Sequence, residues 1–156
     1  MGAFSKVTAV PPAALLWVGL EVAEGRIPVL VDTGSQCSCL RTDVVEYLHM
    51  MGQPSKFSEC TLPCMLADGT RTKISDSVTL HVRLLNFSWD HEFKILKEGP
   101  FPGIVGMDFL SKTQMIVELP SMTYRFAFAP NVRGLSLMVS YLPVAMSFCS
   151  DCVGRW

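Results

Sequence analysis

Glycine and proline punctuate this chain so often, 11 and 10 times in 156 residues, that no apolar segment runs far without a turn signal. The segments between are short and rich in β-branched residues, which suit a pleated, half-buried surface better than a helix. Val7–Val10, Ala14–Val22, Ile27–Val31, Lys73–Leu85, Phe87–Leu96, Gln114–Leu119 and Thr123–Phe128 read as strands. Glu24-Gly25 places a hairpin turn between the second and third, and Asp68-Gly69 places another inside Met65–Lys73. Short helices are predicted at Thr42–Met50, with Thr42 as the N-cap, and at Asp108–Lys112. The expectation is a mainly β domain. After Pro130 the character changes: Asn131–Gly134 reads as a turn, and the rest is apolar without a clear period. A docking strand, a linker to a following domain and a frayed tail all fit that stretch.

Composition narrows the function classes. Hydrophobic residues make up 49% and charged residues 17%, which excludes a disordered chain and leaves apolar surface for a partner. The net charge is −1 with no basic run, so nucleic acid is not an expected partner. Pro11-Pro12 interrupt the uncharged stretch Val7–Leu20, and no signal-peptide pattern follows. Residues 134–150 carry Pro143 and four serines, too polar for the about 20 apolar residues of a membrane span. A soluble, cytoplasmic protein without a membrane partner is expected. Six cysteines fall as Cys37/Cys39, Cys60/Cys64 and Cys149/Cys152. The last two pairs resemble half zinc sites, but reduced buried or semi-exposed thiols are the favoured reading over metal or disulfides. Asn86-Phe87-Ser88 is a glycosylation sequon that matters only in a secreted chain.

The sharpest chemical feature is Val29-Leu30-Val31-Asp32-Thr33-Gly34-Ser35, an apolar strand running straight into an acid, a hydroxyl residue and a glycine. A carboxylate ending a buried strand is costly unless something satisfies it. The glycine lets the chain turn sharply, so that N–H groups and hydroxyls can point back at the acid. A plain strand-ending turn is the bland alternative. Two later features weigh against it: Leu66-Ala67-Asp68-Gly69-Thr70 at the tip of a hairpin, and Ile104-Val105-Gly106 opening into Met107-Asp108-Phe109-Leu110.

These three motifs in this order resemble the retropepsin family of aspartic proteases, and Ile104–Leu110 is especially similar to gypsy-type LTR-retrotransposon enzymes. The resemblance spans roughly Pro12 to Phe128. It implies a single-lobe acid-protease fold, β-barrel-like with one or two short helices, working as a symmetric homodimer. Residues 1–11 would then be an extension or interface strand, 12–128 the protease domain and 129–156 a tail or linker. The resemblance further implies that the single Asp-Thr-Gly of this sequence is half an active site, to be completed when Asp32 meets Asp32 of a second copy.

By the same resemblance, Thr33 would lock the two loops across the dimer and Gly34 would admit the substrate backbone. Ser35 would place a hydroxyl near the carboxylate and favour its charged form, making the activity optimum more acidic than in Ser35→Ala. Leu66, Ala67, Asp68, Gly69 and Thr70 would form the flap; Val31, Ile104 and Val105 are pocket candidates; Gly106 and Asp108 complete the structural motif. No metal or organic cofactor is required. Implied substrates are polypeptides of the Gag or Gag-Pol type, with virus-like particles as a further location. Viral members commonly pair an acid two residues after the motif glycine with an arginine after the later glycine. Here those positions hold Gln36 and Met107.

Competing readings are weaker. His49, His81 and His91 have no Gly-x-Ser-x-Gly elbow to serve, and His81 and His91 fall in strands as surface or satisfied histidines. Nothing in the sequence marks Cys37 or Cys39 as an activated nucleophile. A domesticated dimerisation or peptide-binding module is the main rival class, and a zinc-stabilised β module built on the cysteine pairs is a third.

Overall fold

The structure, a computed structural model, describes residues 16–53, 56–65 and 71–137, the side chains of 60–65 and 71–75 excepted. Strand β1 (Trp17–Val22) turns back on β2 (Gly25–Val31) in register from Trp17↔Leu30 to Val22↔Gly25. The turn residues are Ala23 and Glu24, and Ala23 takes a positive φ of 53°. Next come β3 (Cys39–Arg41) and α1 (Thr42–Met50). The long hairpin β4 (Lys56–Met65) and β5 (Arg71–Leu84) leads into β6 (Phe87–Leu96) through Leu85-Asn86. Both turn residues have positive φ, 51° and 71°, the backbone of a tight hairpin whose twist matches its strands. Short β7 (Gly103–Val105) runs into α2 (Met107–Thr113), which Gln114 ends in the left-handed conformation at φ 59°.

The first sheet has the order β1-β2-β7-β3-β6-β5-β4, and β1 also meets β5 at Glu21↔Arg83. Six strands therefore close on themselves as a barrel, with β4 outside as an edge. An edge is where Pro63 is tolerated, because proline cannot donate to a ladder on both sides. The pairs β2–β7 and β3–β6 are parallel, and the remaining pairs are antiparallel.

Strand alternation fills the barrel. Val18, Leu20 and Val22 of β1, Ile27 and Val29 of β2, and Val78, Leu80, Val82 and Leu84 of β5 share one core with Phe93, Val44, Leu48, Phe109 and Phe126. Burying each of the large side chains contributes about 1.5–3 kcal/mol. On the opposite face of β1 and β2, Trp17 and Leu30 form a second cluster with Phe101, Ile104 and Leu137. No helix among the described residues is long and apolar enough to cross a membrane.

Several expectations need correction. Thr42 is not the cap of α1: extended Arg41 holds that position, and the Thr42 hydroxyl donates to Leu96 O (3.0 Å). Arg41 is instead fixed by Asp43 in the first turn, which accepts from Nε and Nη2 at 2.9 Å each. Strands β3, β4 and β7 were not expected. Asn131–Gly134 is no turn but part of β10 (Ala129–Leu135), which pairs with β9 (Thr123–Phe126) across a bulge. With β8 (Met115–Glu118) these strands make a second sheet in the order β10-β9-β8. The chain then returns to β1: Leu137 N–H donates to Trp17 O (2.9 Å), and Trp17 N–H to Ser136 Oγ (3.0 Å). Of the segment after Pro130, residues up to 137 form this strand and its return to β1, and residues 138–156 lie outside the described residues. Val7–Val10 lies outside the described residues.

Candidate active site

Asp32 stands where β2 leaves the barrel. The parallel pairing Leu30↔Ile104 and Val31↔Val105 continues one step further, with Asp32 N–H donating to Val105 O (3.0 Å). The loop then turns: Gly34 N–H donates to Asp32 Oδ1 (2.9 Å), and Ser35 N–H to Asp32 O (3.2 Å). The glycine expected to let N–H groups face the acid therefore does so. Asp32 is half-buried, while Thr33 and Gly34 are exposed.

The start of α2 clasps this loop from below. Met107 N–H donates to Ser35 O (2.7 Å), Asp108 N–H to Gln36 O (3.1 Å) and Gly106 N–H to Ser38 Oγ (3.1 Å). A Cβ on Gly106 would stand 2.5 Å from Ser35 O and 2.9 Å from Cys37 O, so only glycine fits the crossing.

Beneath the loop lies a polar knot, buried at Ser38 and His91 and half-buried at Asp108. Ser38 N–H donates to Asp108 Oδ2 (3.0 Å) and Ser38 Oγ to Asp108 Oδ1 (2.7 Å). His91, 5% exposed, brings Nε2 to 3.2 Å from Ser38 Oγ and 3.3 Å from Asp108 Oδ2. Its ring meets Phe93 and Phe109 edge to face, at centroid distances of 5.1 and 5.0 Å. Burial pushes the Asp108 pKa up, but the hydrogen bonds from His91 and Ser38 outweigh it and hold the carboxyl down at about 2. Asp108 also accepts from Phe109 N–H (2.7 Å), yet it is not the N-cap of α2; Gly106 is.

The other sequence candidates divide. The Ser35 hydroxyl does not reach for the carboxylate: it donates to Cys37 O (2.7 Å), which removes the reason for a more acidic optimum relative to Ser35→Ala. Val105 is fully buried in the barrel core; Val31 is half-buried against the same core. Ile104 is half-buried in the second cluster beside Trp17, Leu30, Phe101 and Leu137. Leu66, Ala67, Asp68, Gly69 and Thr70 lie outside the described residues; β4 and β5 pair as far as Met65↔Arg71, so 66–70 connect them. Gln36 and Met107, standing where viral enzymes pair charges, are both exposed.

Of the remaining candidates, His49 is exposed and meets Phe57 edge to face, and His81 pairs with Asp90 at 2.8 Å on the surface. Cys37 and Cys39 are free thiols. Among the described residues no group of three or more His, Cys, Asp or Glu could hold a metal ion; the side chains of the other four cysteines lie outside them. Sequence reasoning missed Ser38 and the inward role of His91. A signal existed for the second: Trp89, His91 and Phe93 alternate, which puts the histidine on the face that carries two large aromatics.

No family model and no curated protein matches the chain. Solved structures do. The retroviral protease-like domain of Ddi1 from Leishmania major superposes with a TM-score of 0.60 at 19% identity, over 83% of this chain and 95% of that one. The EIAV protease in complex with an inhibitor gives 0.48 at 15% identity, over 62% of this chain and 85% of that one. A retropepsin-like aspartic protease from Rickettsia conorii gives 0.46 at 16% identity, over 67% and 75%. The chain has the fold of the retroviral protease-like domains, with an Asp-Thr-Gly loop at the end of its second described strand.

Proposed function

We propose that the chain is an aspartic endopeptidase, active as a homodimer in which Asp32 of each copy supplies one of two catalytic carboxylates. The observation that carries this reading is the Asp32–Gly34 loop: a half-buried carboxylate held by Gly34 N–H, with Thr33 and Gly34 exposed on a fold that carries one such loop. One carboxylate cannot act as acid and base at once. Two brought about 3 Å apart by a two-fold axis share a single proton, since both cannot ionise together.

The ionised partner then takes a proton from a bound water, whose oxygen adds to the scissile carbonyl carbon. The protonated partner gives its proton to the carbonyl oxygen, forming a neutral tetrahedral diol. Proton transfer to the amide nitrogen and cleavage of the C–N bond release the two products and restore the shared proton. The resulting pKa values belong to the pair. Thr33 is assigned the hydrogen bonds across the axis, and the 66–70 connection the role of flap. The substrate is an extended polypeptide bound by strand-like pairing, with its side chains alternating into apolar pockets. By its sequence resemblance it is a Gag or Gag-Pol-type polyprotein, cut in the cytoplasm or in assembling particles.

The test is cleavage of an unstructured polypeptide between pH 4 and 7, comparing the wild type with Asp32→Asn. Cleavage that disappears in a folded Asp32→Asn variant supports the proposal. A folded wild-type dimer that cleaves nothing would point to the peptide-binding module instead.

A further inference from the structure

The Ser38–Asp108–His91 knot has a definite proton arrangement. A serine hydroxyl carries one proton and two lone pairs. The 2.7 Å contact to Asp108 Oδ1 uses the proton, because an ionised carboxylate only accepts. The Gly106 N–H, 3.1 Å away, occupies one lone pair. The His91 Nε2 at 3.2 Å must therefore be a donor, and its N–H lies between Ser38 Oγ and Asp108 Oδ2. Ser38 is wholly buried, so no water competes for these positions.

Through this hub the orientation of the histidine reaches the reacting carboxylate in few steps. Ser38 Oγ holds the Gly106 N–H; the Gly106 backbone lies against Ser35 O and Cys37 O; and Val105 O, one residue earlier, receives the Asp32 N–H. We infer that His91 is a positioning residue for catalysis, acting through Ser38 and Gly106 to hold the Asp32 loop in its working geometry. The inference rests on the protease reading for its kinetic consequence, but the loop restraint itself is measurable without activity. It separates His91 from His81, which pairs with Asp90 on the surface.

Two variants distinguish positioning from mere filling of space. His91→Leu keeps an apolar body between Phe93 and Phe109 and removes the donor. His91→Gln keeps an N–H near the same reach. With one hydrogen bond to a buried hub at stake, His91→Leu should lower kcat roughly ten-fold and leave KM within about two-fold. Amide exchange at Gly106 should accelerate by a similar factor, and His91→Gln should restore both. Combined with Ser38→Ala, His91→Leu should add nothing to the loss caused by Ser38→Ala alone, since both act through one atom.

Equal losses in His91→Leu and His91→Gln, additive losses with Ser38→Ala, or unchanged kcat and exchange in His91→Leu each overturn the inference. If His91→Leu does not fold, Ser38→Ala carries the same readouts: a lowered kcat with faster Gly106 exchange supports the hub, and wild-type values for both overturn it. If the wild type cleaves nothing, the protease reading falls and exchange alone decides. Faster Gly106 exchange in His91→Leu, rescued by His91→Gln, then supports the restraint, and unchanged exchange removes it.

Discussion

A single added carbon at Gly106 would collide with two backbone carbonyls, those of Ser35 and Cys37, and neither can move without moving the Asp32 loop. Gly106→Ala is expected to cost about 1–3 kcal/mol in a urea titration, the range for overpacking a tight site. Its cleavage rate should fall further than its stability explains. An unchanged midpoint would show that the loop has room the geometry denies. Asp108 sets a second residue-scale expectation, in pH. Its folded pKa of about 2 lies below the ordinary 3.8, so the stability it contributes is complete above about pH 4 and is lost as pH falls toward 2. Across the pH 4–7 range of the proposed cleavage assay, Asp108 therefore stays ionised. Asp108→Asn should be less stable at pH 7 and should show a shallower loss between pH 4 and 2. Parallel stability-versus-pH curves for the two proteins would contradict that assignment. The turn at Asp32-Thr33-Gly34 was legible in the sequence because an apolar strand ending in an acid and a glycine is a local pattern. Ser38 and His91 were not, since their meeting depends on β6 lying beside β3, a pairing between residues more than 50 positions apart.

At the scale of elements, strands with two-sided alternation were legible and those without it were not. β1, β2, β5, β6, β8 and β9 were all anticipated from their β-branched runs. Cys39–Arg41 and Gly103–Val105 are three-residue strands whose existence depends on partners distant in sequence, so no local period announces them. β10 hides for a different reason. Its sequence, Ala129–Leu135, holds a proline and a glycine, and among its residues Gly134 alone is fully buried. A Cβ there would stand 2.3 Å from the Tyr124 ring, so a larger residue would push that buried ring aside. The folded unit thus runs past Phe128, where the family resemblance ends. A chain ending at Phe128 should be less stable than one ending at Leu137 by at least ~2 kcal/mol, having lost β10 and the cover over Trp17. Urea denaturation followed by tryptophan fluorescence measures the difference. Equal midpoints would mean that β10 and the Ser136–Leu137 return add nothing to the fold.

For the whole molecule, the barrel holds one Asp-Thr-Gly loop, and the residues beside it, Thr33, Gly34 and 42%-exposed Met107, face outward. A site completed by a second copy gives a specific activity that rises with protein concentration through the dimer Kd. A flat dependence, over a range where sedimentation shows monomer becoming dimer, would count against a shared site. The arithmetic of two chains offers a sharper measurement. If each active site needs Asp32 from both copies, mixing the wild type with an equal amount of Asp32→Asn, at fixed total concentration and after exchange of subunits, leaves about one quarter of the dimers with two carboxylates. The activity of that mixture is the most direct test of the account. A value near one quarter of the unmixed enzyme is predicted, whereas a value near one half would show that each chain works alone.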